Sequence, residues 1–499
     1  MIDWLLHLPG IIVVIPLLSA IIVALLPSRI GWFFASVSSG LSFWAALVMV
    51  NHMLDAPTLT RISYFLGGWP PPWGIEFSVD HATTLVTLAI TGLGFVTTLS
   101  SNALIFKDIH EEDKARFYAA WLLALGGLLG LVMTADAFNL FVFFEISSLA
   151  SVTLVAMGSG RDKRALVAAF NYLIIGAIGA TFYVIGVGFC YAMTGTLNMI
   201  DMASRLSDVT DPIPVYVGLA FMVSGVMVKA AVFPVHFWLP PSYGFAPMAV
   251  TSFLAAIATK ASLYVLIRVL MTVFGGFSDM PLMIMQWVFI PLALMAILLG
   301  TILAIYERDA KMMLAQSSVA QIGYIVLGFG MATIAGVQAG FIHIAYHAMI
   351  KGGMFIGLGG MAIAVAGQTG ITKLAGLGRR MPITSTGFLI CGLSLIGVPL
   401  TAGFISKFYL VSAIISAGYW QVAAIVLLSS ALSVVYLWRI VETLWFMPSE
   451  TGETRLPEQA MIYLPLWILA IANIWLGIDA GLITGLANMA AITLFGGMS

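Results

Sequence analysis

The chain has 499 residues, of which 61% are hydrophobic and only 9% are charged, and its formal net charge is −1. Soluble domains carry about 25% charged residues, so this composition excludes a soluble globular protein. The balanced charge also excludes a basic surface for nucleic acid. Most apolar runs are long enough for helices that cross about 30 Å of hydrocarbon, and no short alternating runs indicate a barrel. The sequence therefore predicts an all-α polytopic protein of the lipid bilayer.

The apolar runs are bounded by charged residues, Pro and Gly, and they predict the helices in chain order. We place fourteen, the first retained and not cleaved as a signal, at residues 8–27, 31–54, 79–101, 117–134, 138–157, 165–194, 213–238, 246–274, 283–304, 311–330, 333–367, 382–417, 419–446 and 460–482. Segments 213–238, 333–367 and 382–417 are too long for one straight span or are interrupted by Gly and Pro. We group the chain as N-terminal helices 1–3 with an outer loop (1–116), two five-helix repeats (117–274 and 283–446) and a C-terminal helix (447–499).

Two segments between these helices have a character of their own. Residues 55–80 carry the run WPPPWG, and their aromatic side chains suit the membrane interface. We expect this loop to form an ordered cap on the outer face. Residues 197–208, LNMIDMASRLSD, have the pattern of a short amphipathic surface helix.

Lysine and arginine are distributed unevenly over the predicted loops. Thirteen fall in one set of alternate loops, whereas only Arg61 and Arg205 fall in the other. By the positive-inside rule the first set faces the cytoplasm, which places both termini on the outer face of the cell inner (plasma) membrane. Four lysines remain inside apolar segments, namely Lys229, Lys260, Lys351 and Lys407.

The stretch from Lys229 to Lys260 combines cations with residues that break helices. Pro234 and His236 follow Lys229 closely, and further prolines precede Lys260. A charge near the bilayer centre costs at least about 2.5 kcal/mol, so cations beside a helix break are a functional hypothesis. Lys260 lies in the middle of its predicted helix, too deep to reach the interface, and such a lysine can exchange a proton near neutral pH. We predict proton transfer at both lysines, with His236 as a possible accessory.

An acidic residue, Glu145, lies inside the fifth predicted helix in the run NLFVFFEISSLAS. A carboxyl group in lipid requires a proton or a cationic partner, and Lys229 is the natural partner. The alternatives are a static ion pair, or a protonated glutamate that is bonded to a serine. Asp136 lies about two and a half turns earlier and is a possible accessory near the outer surface.

The run HIAYHAMIKGG places His343, His347 and Lys351 at intervals of four residues, on one face of a helix. Gly352 and Gly353 follow and can open the backbone. Two histidines four residues apart can bind zinc, but no glutamate follows the first, and no nearby Cys or Asp completes a site. Each histidine alone can instead have a packing role. Three titratable groups in register within lipid favour a proton path, with no metal or cofactor.

A second break precedes Lys407, in the run GVPLTAGFISK that contains Pro399. If 117–274 and 283–446 are two halves, Lys229 and Lys407 lie in the penultimate helix of each half. Interrupted segments at corresponding positions are typical of inverted-repeat transporters with a site near the midplane. Broken backbone at that depth is stable only where it is buried or lines water, so the breaks at helices 7 and 12 predict a hydrated path.

The ordered motifs NLFVFFE, PVHFWLPPSYGFAP after Lys229, HIAYHAMIKGG and GFISKFYLV resemble a known family over about residues 75–450. It comprises the antiporter-like membrane subunits of proton-pumping NADH:quinone oxidoreductase, membrane-bound hydrogenases and Mrp-type Na⁺/H⁺ antiporters. The run TADAFNLFVFFE is most similar to the D-type membrane component of the Mrp antiporter. The resemblance implies fourteen helices, two inverted five-helix repeats and broken helices 7 and 12. It also implies a role for each residue. Glu145 and Lys229 would form a controlling pair, and Lys260 would be the central relay. His343 and His347 would link it to Lys407, which would exchange the proton at the end of the path.

These features lead to three hypotheses, each for a transporter subunit and not an enzyme. The first is a proton-translocating subunit of a multisubunit Na⁺/H⁺ antiporter, working with other membrane subunits, although Glu145 and Asp136 are the few carboxylates available for Na⁺. The first alternative is a proton-pumping subunit of a redox-driven complex. The sequence has no flavin, nicotinamide or iron–sulfur motif, so that chemistry would belong to partners. The second alternative is a membrane energy-coupling partner of a soluble protein in inorganic carbon uptake.

Overall fold

The computed structural model describes residues 3–55, 60–105, 108–449, 452 and 454–496. Its first half contains α1 (Leu8–Leu25), α2 (Ser28–Asp55), α3 (His81–Leu104), α4 (Lys114–Met133), α5 (Ala137–Ala156), α6 (Arg164–Thr194), α7 (Met199–Leu206), α8 (Ile213–Lys229), α9 (Leu239–Phe245) and α10 (Met248–Arg268). Strands β1 (Arg61–Phe65) and β2 (Glu76–Asp80) lie between α2 and α3. The remainder contains α11 (Met280–Met283), α12 (Ile290–Tyr306), α13 (Ala310–Gly330), α14 (Ile334–Ala364), α15 (Leu377–Arg380), α16 (Pro382–Ile396), α17 (Ala402–Ser416), α18 (Trp420–Trp445), α19 (Ala460–Ile478) and α20 (Gly481–Gly496).

Shorter helical turns complete the secondary structure. Two π-helical stretches, Val269–Val273 and Ile284–Phe289, extend α10 and join α11 to α12. Turns of 3₁₀ helix occupy Asp3–His7, Leu66–Gly68, Glu111–Asp113, Met157–Gly160 and Ile371–Leu374. Twelve helices of the described chain are long and apolar enough to cross a membrane, which agrees with the predicted helical membrane fold.

Short polar side chains fix where several of the long helices begin. Asp80, Asp136 and Asp309 each accept hydrogen bonds from backbone N–H groups in the first turn of α3, α5 and α13. Asn198 does the same for α7. The first N–H groups of a helix have no partner inside it, so such a cap stabilises the helix by about 1 kcal/mol.

The two helices at the centre of the bundle are α10 and α14. All residues of α10 are buried, and α14 packs against α3, α10, α13, α16, α17, α19 and α20. The outer helices, such as α6 and α18, instead expose large apolar side chains along one face, as helices in contact with lipid do. The side chains of α10 and of the middle of α14 are therefore shielded by protein.

A small two-stranded antiparallel sheet covers one end of the bundle, which we call the outer end, together with α7. Arg61 pairs with Asp80 and Phe65 with Glu76 in the sheet register. The buried Glu76 carboxylate accepts from Arg61 (2.7 Å) and from Asn198 Nδ2 (2.8 Å), which ties the sheet to α7. The sequence predicted an ordered cap here but not its strands, which are an exception to the all-α class. Residues 56–59 of this loop lie outside the described residues.

Two of the membrane segments are broken. Between α8 and α9 the residues 230–238 form turns that contain Pro234, and between α16 and α17 the residues 397–401 form turns that contain Pro399. Ala231 and Leu400, one in each break, adopt the left-handed conformation, with φ of 53° and 69°. Proline removes a backbone donor, and left-handed residues end a helix, so both segments stop where the sequence predicted a break.

The third long segment behaves differently, because α14 runs without interruption from Ile334 to Ala364. The expectation that Gly352 and Gly353 open its backbone is wrong. A Cβ on Gly353 would lie 2.5 Å from Cys391 Sγ on α16. The glycine therefore allows close helix packing, as small residues do between membrane helices.

The C-terminal region contains one helix more than the sequence analysis placed there. The predicted helix at 460–482 ends at Ile478, and α20 begins at Gly481, whose N–H donates to Asp479 Oδ1 at 3.2 Å. Gln338 on α14 donates to Thr484 O of α20, so α20 packs inside the bundle. The expectation that both termini lie on the outer face assumed an even number of helices, and α20 removes that assumption.

Candidate functional site

Lys229 is the last residue of α8, directly before the first break. Its side chain is buried, and Nζ has no hydrogen-bond partner among the described residues. Nζ lies 5.8 Å from the centre of the Phe144 ring. Glu145, on α5, is partly buried and close enough for its charge to act on Lys229, yet no ion pair of the described chain joins the two. The structure thus shows an open arrangement of the predicted pair.

His236 lies within the first break and is packed as an aromatic ring. It stacks against Phe233 and Phe237, with ring centres 5.2 and 4.8 Å away. The break is held by Trp238, whose Nε1 donates to Val228 O at 2.9 Å and whose ring stacks on Tyr172 at 4.3 Å. His236 Nδ1 is buried without a partner among the described residues, so this histidine is near the site but not bonded to it.

Lys260 lies in the fully buried helix α10, and only 2% of its surface is exposed. Its ammonium donates to Ala255 O of the same helix. His343 and His347 on α14 are close enough to interact with its charge. Lys260 and the two histidines therefore lie on adjacent helices, since α10 packs against α14.

His343 joins three helices. Its Nδ1 lies 2.9 Å from Ser406 Oγ on α17, and its Nε2 lies 3.0 Å from Gln321 Oε1 on α13. Ser406 Oγ also donates to Gly403 O at 3.0 Å. A hydroxyl rotates and an amide can be turned over, so the neutral and the protonated ring can both be hydrogen-bonded here. A group that exchanges protons requires this freedom.

His347 is stacked parallel to His343, with ring centres 5.9 Å apart and an interplanar angle of 11°. The side chain is fully buried, and neither ring nitrogen has a hydrogen-bond partner among the described residues. Buried polar atoms without partners are costly, and a native structure retains them for a reason. His347 is therefore a buried imidazole with two unsatisfied nitrogens, stacked beside His343.

Lys351, one turn further along α14, is held by α13. Its Nζ donates to Leu314 O at 2.7 Å and to Ser317 Oγ. These bonds direct its charge towards α13, and they give Lys351 a structural role in addition to the accessory role predicted for it.

Lys407 lies in the first turn and a half of α17, beside the second break. Its Nζ donates to Leu395 O (2.9 Å), Ile396 O (2.7 Å) and Ser430 Oγ (2.9 Å). The two carbonyls belong to the end of α16, where the break leaves them without helical partners. A cation at the C-terminus of a helix is electrostatically favourable, so Lys407 caps α16. The preceding residue, Ser406, has the hydroxyl that meets His343.

Asp136 caps α5, since its Oδ1 accepts from Asn139 N at 2.6 Å. It lies on the wall of a cavity of about 580 Å³ at the outer end, together with Trp73, Tyr191 and Arg205. Burial raises the pKa of its carboxyl above the usual value. Asp136 therefore lies at the outer end of the bundle and has a structural function as the cap of α5.

Several polar residues of the site were not singled out from the sequence. Gln321 and Ser317, the partners of His343 and Lys351, are buried on α13 at a spacing of four residues. That spacing within an apolar helix is a signal that the sequence contained. Lys311, counted with the loop cations, is instead buried in the first turn of α13 and donates to Ala246 O. It lines a cavity of about 460 Å³ at the inner end, which is opposite the sheet.

Known proteins share both the sequence and the fold. Residues 134–433 match the model of the family described as "NADH:quinone oxidoreductase/Mrp antiporter, TM". NADH-quinone oxidoreductase subunit N of Desulforudis audaxviator is 38% identical over 95% of this chain and 96% of its own. The D-type membrane component of the Na⁺/H⁺ antiporter of Bacillus subtilis is 29% identical over 97% of this chain and 96% of its own.

A solved structure is similar to this chain in its fold as well as in its sequence. A chain of the membrane-bound sulfane sulfur reductase, an archaeal respiratory membrane complex, superimposes with a TM-score of 0.88 at 31% identity, covering 98% of each chain. The match of the family model covers more than half of the sequence. The chain therefore belongs to the transmembrane family shared by NADH:quinone oxidoreductases and Mrp antiporters.

Proposed function

We propose that the chain carries protons across the centre of the bundle as a membrane subunit of a larger ion-translocating complex. One observation supports this above all: five buried, protonatable side chains extend from one helix break to the other. They are Lys229, Lys260, His347, His343 and Lys407, which we call the row, and each of them is buried. Ionisable groups within a membrane are rare and mark ion or proton pathways.

The first step is control by the partly buried Glu145. In the open arrangement Lys229 has no bonded partner among the described residues, so its ammonium can move towards the carboxylate or away from it. An opposite charge at 4 Å is worth about 4 kcal/mol at an effective dielectric constant of 20, which is about a thousandfold in proton affinity. The position of Lys229 thus changes how strongly its neighbours hold a proton.

The next steps pass the proton laterally. Lys260 is within electrostatic range of both histidines, which are stacked one turn apart on α14. From His343 the bond to Ser406 leads to α17, where Lys407 lies beside the second break. We propose that Lys407 exchanges the proton with the surroundings of that break.

For the coupling, we propose exchange of protons against a monovalent cation, Na⁺, together with other membrane subunits. The support is the Na⁺/H⁺ antiporter component of Bacillus subtilis, which aligns over nearly the whole chain. The second candidate is coupling to a redox reaction in partner proteins. It is supported by the 38% identity to a protein named NADH-quinone oxidoreductase subunit N and by the likeness to an archaeal respiratory complex.

The same proposal includes the organisation and orientation of the chain. We propose that residues 117–274 and 283–446 form two related halves, because the fourth membrane segment of each is the broken one. Basic side chains such as Arg161, Arg164 and Lys373 border the inner cavity, so we propose that this end faces the cytoplasm.

Purification of the intact complex through a tag on this chain tests the function. Identification of the copurifying subunits is combined with proton flux in vesicles that are driven either by a Na⁺ gradient or by electron donors. Antiport is supported by flux with Na⁺ and small membrane subunits, and the redox candidate by iron–sulfur or flavin proteins and donor-driven flux. Flux that is unchanged in Lys260→Ala, with normal assembly, would contradict the proton path itself.

A further inference from the structure

A series of side-chain hydroxyl groups extends from the level of Lys260 in the bundle to its outer end. We propose that Thr87, Tyr264, Thr83 and Asp80 form an outer branch of the proton path, between α3 and α10. This inference rests on the proposed function. The branch would conduct protons between Lys260 and the outer surface within the first half, independently of Lys407.

The outer part of the branch is connected by hydrogen bonds. Tyr264 OH and Thr83 Oγ1 are 2.7 Å apart, and both side chains are fully buried. Thr83 Oγ1 in turn donates to Asp80 Oδ1 at 3.0 Å. Asp80 is partly exposed where α3 meets β2. A buried tyrosine hydroxyl is thus linked through one threonine to a carboxylate that solvent can reach.

The register of the two helices brings this chain to Lys260. The contact of Thr83 with Tyr264 and the packing of Leu93 and Ala256 around Gly352 show that α3 and α10 run antiparallel. Four residues of helix rise about 6 Å. One turn along α3 from Thr83 and one turn back along α10 from Tyr264 therefore lie at the same depth, and these positions are Thr87 and Lys260.

Thr87 has the property that a link to Lys260 requires. Its hydroxyl is completely buried and has no hydrogen-bond partner among the described residues. Thr91 and Thr97 on the same helix instead donate to backbone carbonyls of their own helix, at 2.8 and 2.7 Å. An unsatisfied hydroxyl inside a helix bundle is costly, so the hydroxyl of Thr87 is free for a partner that reaches it in another state.

Lys260 itself controls the branch. Its Nζ is bonded to Ala255 O, on the side away from Tyr264. When the Lys260 side chain swings from Ala255 O towards Tyr264, its ammonium can give a proton to the Thr87 oxygen, and the Thr87 hydroxyl gives its own proton to the Tyr264 oxygen. Tyr264 passes its own hydroxyl proton to Thr83 oxygen, and Thr83 passes its proton to the Asp80 carboxylate. Each oxygen gains one proton and loses one, and only Lys260 and Asp80 change charge.

The surroundings of this route suit protons better than a metal cation. The Arg268 guanidinium lies 5.8 Å from the Tyr264 ring and donates to Val132 O and Thr134 O at 2.9 and 2.7 Å. Its positive charge opposes every cation, protons included, so selectivity rests on the hydroxyl groups, which among the described residues offer no full set of oxygen ligands for Na⁺. Protons handed from oxygen to oxygen are the species that suits this branch.

The test separates hydrogen bonding from packing with matched variants of the assembled complex in vesicles. Thr83→Val and Thr83→Ser differ in the hydroxyl, and Tyr264→Phe removes only an oxygen. Asp80→Asn keeps an acceptor for the backbone N–H of Thr83 in the first turn of α3 but cannot take up a proton. We expect proton flux to fall at least about tenfold in Thr83→Val, Tyr264→Phe and Asp80→Asn, and to stay near wild type in Thr83→Ser.

The control is Thr97→Val, which makes the same chemical change on the inner part of α3 where the hydroxyl is bonded to its own helix. It should leave flux unchanged. Wild-type flux in Thr83→Val and Tyr264→Phe, together with loss of flux in Lys260→Ala, would overturn the outer branch alone. Wild-type flux in Lys260→Ala would overturn the proposed function. If Tyr264→Phe does not assemble, the comparison of Thr83→Val with Thr83→Ser decides.

Discussion

Lys407 and Lys229 lie beside the two helix breaks, but Lys407 donates three hydrogen bonds, whereas Lys229 Nζ has no partner in the described part of the chain. The two breaks differ in which groups donate to the carbonyls at the end of the preceding helix. At the second break the last carbonyls of α16 point to the lysine. At the first break Trp238 Nε1 donates to Val228 O, and the backbone N–H groups of Ala230 and Ala231 donate to carbonyls at the end of α8. One lysine is thus fixed by the backbone, and the other is free to respond to Glu145.

This difference predicts opposite stability effects for the same substitution. Lys407→Met should lower the free energy of unfolding by about 1–3 kcal/mol, because it leaves the carbonyl of Leu395 without a donor and the carbonyl of Ile396 with Ser430 Oγ alone. Lys229→Met removes a buried cation that has no bonded partner among the described residues, so stability should be unchanged or higher. Both variants should lose proton flux. Thermal unfolding of the purified complex and vesicle flux measure the two properties, and equal loss of stability in both variants would contradict this account.

A second prediction concerns Glu145, which faces Lys229 without a bond. Glu145→Gln keeps the size of the side chain and removes its charge, so proton flux should fall at least about tenfold while the complex assembles normally. Glu442→Gln is the matched control, since Glu442 is exposed near the end of α18 and should tolerate the change. Normal flux in Glu145→Gln would reduce Glu145 and Lys229 to a structural role.

The long elements of the fold were predictable because apolar runs of membrane length permit one solution, a helix. Pro234 and Pro399 also located both breaks, since proline cannot continue a helix without loss of a donor. The glycines of α14 were misleading. Gly352 and Gly353 have the composition of a break, but the packing of Cys391 against Gly353 is a tertiary contact that no local pattern contains.

Most residues of the site could be predicted from the sequence, but their hydrogen-bond partners could not. A charged or imidazole side chain within an apolar run is conspicuous, so Glu145 and the five buried members of the row could be named from the sequence. Their partners could not. Gln321 and Ser406 lie 22 and 63 residues from His343 in the chain, and the unbonded state of Glu145 and Lys229 depends on how α5 and α8 are placed in the bundle.

The two histidines should respond differently to the same replacement. His343→Leu leaves Gln321 and Ser406 without their partner, so we expect the free energy of unfolding to fall by about 1–3 kcal/mol. His347→Leu removes two nitrogens that have no partner among the described residues, and stability should not fall. Proton flux should be lost in both variants. Retained flux in His347→Leu, with intact assembly, would remove His347 from the path.

Asp136 offers a prediction about pH, since burial raises the pKa of its carboxyl. A carboxyl whose pKa is higher in the folded state binds its proton more tightly there. Its contribution to stability is complete below the unfolded value of about 3.9 and declines as the pH rises through the folded value. Asp136→Asn keeps the cap of α5 and lacks this decline. Thermal midpoints between pH 4 and 7 should therefore shift in favour of the variant as pH rises, and a shift in favour of wild type would contradict the assignment.

Gly353→Ala tests why α14 passes α16 so closely. The added Cβ would lie 2.5 Å from Cys391 Sγ, so the sulfur atom must rotate away or the helices must separate, and we expect a loss of about 1–3 kcal/mol in the free energy of unfolding. Cys391→Ala removes the sulfur atom and should restore much of the stability in the double variant, although alone it leaves a small cavity. Gly188→Ala is the control, because a Cβ on Gly188 meets no atom within 4 Å. Thermal unfolding of the purified wild-type complex, the two single variants at 353 and 391, and their double variant measures the coupling between these positions. Additive losses in the double variant would show that Cys391 is not the contact that requires glycine at position 353.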